Sequence, residues 1–275
     1  MNKTLINIIL YIIIISTMII LIFPIAWMIL TAFKTTDEIF KIPPTFLPKN
    51  FNLDAFIYVI NSDMPVFFFN SIVIAFFTSV IAIFIGGLAS YGISRAKHWT
   101  TNSILMFFLA SMAFPVPLLM ITIYKILNLI NGLDTYWAVI IGHTLLTLPI
   151  VIWLMKGFID DLPIEVEESA YIDGASIIDI IYKIVFPMTK PGVIASAIYV
   201  FVTSWNEFIF GLSFTTSTDM RPLPAGINLV FLQEFQYQWP EMMAIATVAT
   251  IPILLLFLFL QKYFIQGVTA GAVKN

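Results

Sequence analysis

Residues Glu165–Pro187 read EVEESAYIDGASIIDIIYKIVFP and hold six of the chain's 29 charged residues, 13 Lys and Arg plus 16 Asp and Glu. Pro163 suits the first turn of a helix, and Glu165, Glu167 and Glu168 then lie near its positive end, where carboxylates are favoured. Gly174 supplies the left-handed conformation that ends a helix without steric cost. Ser176 is placed to cap a second helix, with Asp179 three residues on as its partner. Along that second helix Ile177, Ile178, Ile181, Ile184 and Val185 recur at helical spacing, which predicts one apolar face. Pro187 is expected to stop it. The stretch therefore reads as helix, sharp turn, helix, with its tip in water. An amphipathic loop lying on anionic headgroups is expected to be basic. This one is acidic, which favours a protein partner.

The surroundings are of another kind. Of 275 residues, 60% are hydrophobic and only 11% charged, and the mean hydropathy is +0.98. So few charges do not cover the surface of a soluble domain, and a polytopic membrane protein is the consistent class. Residues 4–33, 64–94, 98–124, 135–155 and 242–261 carry no charged side chain, and 191–218 carries only Glu207. Each run reaches the roughly 20 residues needed to cross a bilayer, so six spans are predicted in an all-α fold. The first run is far longer than the apolar core of a signal peptide and is expected to remain as a span. Cysteine is absent, which excludes disulfides and thiolate metal sites. A net charge of −3 gives no argument for nucleic acid.

With both termini inside, Lys3, Arg95, Lys97, Lys156, Lys183, Lys190, Lys262 and Lys274 are cytoplasmic, against Lys34, Lys41, Lys49, Lys125 and Arg221 outside. The excess favours that orientation. It also puts the hairpin in the cytoplasm, between spans four and five. Three segments follow: residues 1–69, the first span and an outer loop; 70–261, five spans and the hairpin at about 160–190; and 262–275, a cytoplasmic tail. Leu53–Ile60 is expected to form a short surface helix in the first outer loop, whose four prolines otherwise favour turns. Gly86-Gly87 and Ala89-Ser90 permit close packing of the second span. Pro115 and Pro117, Pro149 and Pro252 are expected to kink spans three, four and six, for motion or for shape. Trp99, Trp137, Tyr237 and Trp239 are placed as interfacial anchors.

The hairpin resembles the "EAA" loop of ABC importer permeases: Glu-Ala-Ala, three residues, Gly, nine residues, Ile, one residue, Leu-Pro. Here that pattern reads Glu168-Ser169-Ala170, Gly174, Ile184 and Phe186-Pro187, with spacing intact and Ser169 and Phe186 as the two departures. FPIAWMILTAFKTTDEIF, SYGISRAKHW, TSWNEFIFGLSF and QKYFIQGVTAGAVKN extend the likeness to the carbohydrate branch, nearest to the shorter six-helix permease of the maltose transporter type. The resemblance implies the type I importer permease fold and a coupling helix docking in an ATPase cleft through Glu168, Ser169, Ala170, Asp173, Gly174, Ile184 and Pro187. It further implies a tail at the ATPase dimer interface, carried by Gly267, Gly271, Ala272, Val273 and Lys274. The implied partners are a homologous second permease subunit, two ATP-binding subunits and an extracytoplasmic solute-binding protein. ATP and Mg would sit on the ATPase subunits, and this chain would bind no cofactor.

Glu207 is the only ionisable residue predicted inside a span other than His143, which stands alone in span four. An intramembrane carboxylate is expensive unless partnered. With Trp205 and Asn206, Glu207 offers the groups that hold sugars; a structural bond to a neighbouring helix or to the sister subunit is the favoured alternative. An ion-coupled secondary transporter working without an ATPase competes as a class. It would need coupling carboxylates and normally an inverted repeat, and neither is visible. An integral membrane enzyme lacks support: there is no Ser/His/Asp set, no His-x-x-x-His and no phosphate-binding Gly-x-x-x-x-Gly-Lys.

Overall fold

The computed structural model describes residues 3–96, 100–232 and 238–272. Among them all regular structure is helical. His98, Trp99, Tyr237, Val273 and Lys274 lie outside the described residues. The chain divides into two units, Met1–Pro65 with Ile227–Pro252, and Val66–Gly226 with Ile253–Asn275.

In the first unit, α1 (Lys3–Ala32) is a single run of isoleucine-rich helix, and the membrane-length window within it buries none of its residues in the chain. A short helix α2 (Thr36–Ile39) follows, and then a loop gathered around one carboxylate. Glu38 accepts from Thr45 Oγ1 at 2.8 Å and from the Lys49 N–H at 2.9 Å. Lys34 donates to the Thr45 carbonyl and lies 4.6 Å above the Trp27 ring. The loop is extended and turned, as its prolines dictate, up to α3 (Asp54–Asn61), which buries Ala55 and Val59. That is the surface helix expected at Leu53–Ile60.

The second unit is built around one helix. α4 (Met64–Arg95) supplies all but its first two residues to it; α5 (Thr100–Ser111) and α6 (Val116–Leu129) form the third apolar run; α7 (Tyr136–Asp160) is the buried centre. Thr135 caps α7 by accepting the Ala138 N–H at 3.2 Å. Three apolar clusters line its length: Val139 and Ile140 with Ile74 and Phe210, then Val151 and Met155 with Ala82 and Val200, then Ile159 with Ile180 and Val185. Small residues allow the approach. A Cβ on Gly86 would stand 2.6 Å from Val151 Cγ1, and one on Gly192 would stand 2.5 Å from the Phe158 ring.

Four helices are long and apolar enough to cross a membrane, and two bent pairs bring the number to six if each pair is one span. Two of the six expected spans are broken. The third bends by 92° between α5 and α6. Pro115 and Pro117 donate no N–H, and Phe114, preceding a proline, is pushed out of the helical region; the expected kink is a full break. The fifth also differs. α8 (Ile164–Ile172) and α9 (Ile177–Met188) form the hairpin, α10 (Lys190–Trp205) follows after an 80° bend, and α11 (Ile209–Phe214) stands apart from it. Glu207 therefore lies in a break between helices and not within one. Pro187 does not end α9 either: it sits in the last turn, and the chain turns at Thr189, with Pro191 opening α10. α12 (Leu223–Ile227) and α13 (Trp239–Ala272) complete the chain; α13 continues as one backbone helix from the sixth expected span into the expected tail. Trp137 and Trp239 are 59% and 36% exposed.

Candidate functional site

The turn between α8 and α9 is fixed by backbone geometry. Gly174 has φ +88°, the Gly174 N–H donates to the Tyr171 carbonyl at 3.1 Å, and the Ala175 N–H reaches the Ala170 carbonyl at 3.0 Å. These two bonds form the Schellman closure of a helix C-terminus. No atom lies within 4 Å of a Cβ built on Gly174, so the position demands conformation and not space. Ser176 then caps α9: its Oγ accepts the Asp179 N–H at 3.2 Å and donates to Asp179 Oδ2 at 2.6 Å.

The second arm departs from the expected single apolar face. Ile180–Val185 is a π-helical stretch, which shifts every following side chain relative to an α-helix. Ile180, Ile181 and Val185 are buried and Ile184 half-buried, whereas Ile177 and Ile178 are 59% and 68% exposed. With Tyr171 at 67% and Ile172 at 84%, they make the tip apolar as well as acidic. Glu168, Ser169, Asp173 and Gly174 are exposed on the same turn; Ala170 is half-buried, and Pro187 is exposed at the far end of the arm. Ser169 ties its hydroxyl to the Glu165 carbonyl at 2.8 Å. Phe186 fills the place where the family pattern has leucine, and its ring lies 2.7 Å from where a Cβ on Gly87 would be.

The hairpin's root carries contacts that no sequence argument assigned. Glu167 turns inward, 9% exposed at its side chain, and meets Arg95 at 2.6 Å. A groove of about 440 Å³ opens beside this pair, lined by Tyr91, Arg95, Glu167, Tyr171, Ile172 and Ile177 among others. SYGISRAKHW was the available signal; its Tyr91 and Arg95 stand a helical turn apart, on one face of α4.

A second polar centre joins α7 to the break after α10. His143 is 1% exposed, with Nε2 2.8 Å from Glu207 Oε2 and Nδ1 2.6 Å from Ser204 Oγ. An ionised carboxylate only accepts, so Nε2 carries the proton and, in the neutral ring, Nδ1 accepts from Ser204. Glu207 also accepts the N–H of Ile209 at 2.7 Å and of Phe210 at 3.1 Å, which starts α11. His143, alone in its own span, is thus paired with groups from outside it. Trp205 is buried, stacked on Phe201 at 6.0 Å and edge-on to Phe68 at 5.3 Å. Asn206 is exposed and gives its amide to the Val202 carbonyl at 2.8 Å. Of the three side chains offered as a substrate path, only Asn206 faces outward.

In the tail, Gly267, Gly271 and Ala272 belong to the backbone of α13. Among the described residues no group of three His, Cys, Asp or Glu is disposed to hold a metal ion.

Residues 82–270 match the family model described as "Binding-protein-dependent transport system inner membrane component". The chain is 31% identical to the probable ABC transporter permease protein YurM of Bacillus subtilis, over 92% of this chain and 84% of that one. It is 33% identical to the trehalose/maltose transport system permease protein MalG of Thermococcus litoralis, over 94% of this chain and 93% of that one. In fold it is similar to a chain in the crystal structure of a bacterial ABC transporter involved in the import of the acidic polysaccharide alginate, with TM-score 0.82, 19% identity, and 96% and 98% of the two chains covered.

Proposed function

Because this chain belongs to the binding-protein-dependent transport system inner membrane components, we propose that it forms half of the pore of an ATP-driven sugar or oligosaccharide importer. A homologous permease supplies the other half, two ATP-binding subunits hydrolyse ATP with Mg, and an extracytoplasmic binding protein delivers the solute. The chain itself is non-catalytic and binds no cofactor. Both termini are cytoplasmic, as the lysine and arginine distribution favours. The sugar class rests on relatives such as the trehalose/maltose permease.

One observation carries the mechanism: a rigidly closed turn presents an acidic and apolar tip between two apolar runs of the chain. Glu168, Ser169, Ala170, Asp173 and Gly174 dock in the ATPase, with Ile184 and Pro187 setting the arm behind them. Closure of the ATPase pair on ATP pushes the tip, and the hairpin passes that displacement to the helices that gate the pore. The tail residues Gly267, Gly271, Ala272, Val273 and Lys274 reach the ATPase dimer interface. Along the solute path Asn206 supplies the polar contact, while Trp205 and Glu207 hold the break that presents it.

The His143–Glu207 pair provides the second buried titratable group that ion coupling requires. Both partners, however, are spent on internal bonds, to Ser204 and to the start of α11, which favours a structural role. The test is reconstitution in proteoliposomes with a panel of radiolabelled di- and oligosaccharides, maltose and trehalose first. Uptake is expected only with ATP, both ATP-binding subunits and the binding protein. Uptake by this chain without ATPase subunits overturns the reading.

A further inference from the structure

Arg95 ends α4, and its guanidinium reaches two further elements. Nε and one Nη bind Glu167 Oε1, in the first turn of α8, at 2.8 and 2.6 Å. The same Nη donates to the Ile159 carbonyl, in the last turn of α7, at 3.0 Å. Tyr91 Oη donates to the other carboxylate oxygen of Glu167 at 3.0 Å, and Ser94 Oγ donates to Asp160 at 2.5 Å. Exposed ion pairs contribute little. This one is enclosed, with side chains 17% and 9% exposed, and both carboxylate oxygens are occupied. Such charge-assisted pairs hold geometry well. In EVEE only Glu167 is buried; Glu165 and Glu168 are exposed.

The chain enters the hairpin through a short turn after α7 and leaves it at the 80° bend before α10. The second arm of the hairpin packs on the end of α7 through Ile180, Val185 and Ile159, and the first arm is bonded to α4 through Glu167. The Phe186 ring against Gly87 is a second hold on α4, two helical turns before Arg95. We propose that Arg95 and Glu167 are positioning residues for energy coupling: their clamp makes α4, the end of α7 and the hairpin move as one body, so that displacement of the tip is delivered to α4. This rests on the hairpin being the ATPase-docking element.

The experiment uses the whole complex, with spin labels on Ile172→Cys at the tip and Ile85→Cys on α4, which is 44% exposed. The chain has no native cysteine to interfere. The distance distribution between the labels is measured without nucleotide and after trapping with ATP and vanadate. With the clamp intact, one narrow distribution is expected that trapping leaves unchanged. In Glu167→Gln it broadens and shifts on trapping, and the coupling of ATP hydrolysis to maltose or trehalose uptake falls about tenfold, within the usual range for coupling between sites. Arg95→Lys, which keeps the charge and loses the fork, is expected to show a smaller shift, and it decides the matter if Glu167→Gln does not assemble. Distributions identical to the unsubstituted complex overturn the clamp. The mobility of the Ile172 label with and without ATPase subunits tests the docking reading separately: no change there removes that reading and this inference together.

Discussion

Gly174 is the residue on which the hairpin turns, and its requirement is purely conformational. Its φ of +88° is open to glycine and costs other residues about 1–2 kcal/mol. Gly174→Ala introduces no clash, so it is expected to loosen the turn by about that amount while the complex still assembles; hydrogen exchange at the Gly174 and Ala175 amides measures it. Asp134 is fixed by a different balance. Burial would raise its pKa, but the N–H groups of Ser217 and Thr216 and the Ser217 hydroxyl hold the carboxyl below its usual value. A depressed carboxyl contributes stability that is fully present above its ordinary titration range and is lost as pH falls through the lower folded value. The Thr216 and Ser217 amides are therefore expected to stay protected throughout the ordinary aspartate range and to exchange only below it. Loss of protection above that range would contradict the assignment. The Gly174 turn and Ser176 cap were legible because both rules are local. The His143–Glu207 bond spans 64 residues, and no local rule brings those two together.

At the scale of elements, charge-free runs located the spans but not their breaks. Hydropathy measures length in apolar residues and is blind to whether a proline bends the helix by a little or, as between α5 and α6, by 92°. The isoleucine face of α9 departs from its expected register for a related reason. A period of 3.6 puts Ile177, Ile178, Ile181, Ile184 and Val185 on one face. The π-helical stretch Ile180–Val185 breaks that period, and Ile177 and Ile178, which precede it at the tip, stay exposed while Ile180, Ile181 and Val185 are buried. Gly87 and Phe186 show what the small-residue run in α4 is for. A Cβ on Gly87 would lie 2.7 Å from Phe186 Cζ, inside contact distance. Gly87→Ala is expected to cost about 1–3 kcal/mol by overpacking and to lower the thermal midpoint of the complex. Adding Phe186→Leu, the shorter residue of the family pattern, is expected to restore most of the loss. Additive losses in the double variant would mean that the two sites do not meet.

For the whole molecule, the composition settled the membrane class and the EAA-like spacing pointed to the importer family, to which residues 82–270 belong. What composition could not supply is the wiring of the hairpin's root, because Arg95 and Glu167 are 72 residues apart and each alone reads as a solvated charge. The central claim is that the tip touches an ATPase. Its most direct measurement is site-specific cross-linking in native membranes from a single cysteine in this cysteine-free chain, placed at Ile172, 84% exposed on the tip, and for comparison at Leu129, 83% exposed at the end of α6. The account predicts an adduct with an ATP-binding subunit from Ile172→Cys and none from Leu129→Cys. No ATPase adduct from Ile172→Cys in membranes that retain the ATPase, or an equal adduct from both positions, would contradict it.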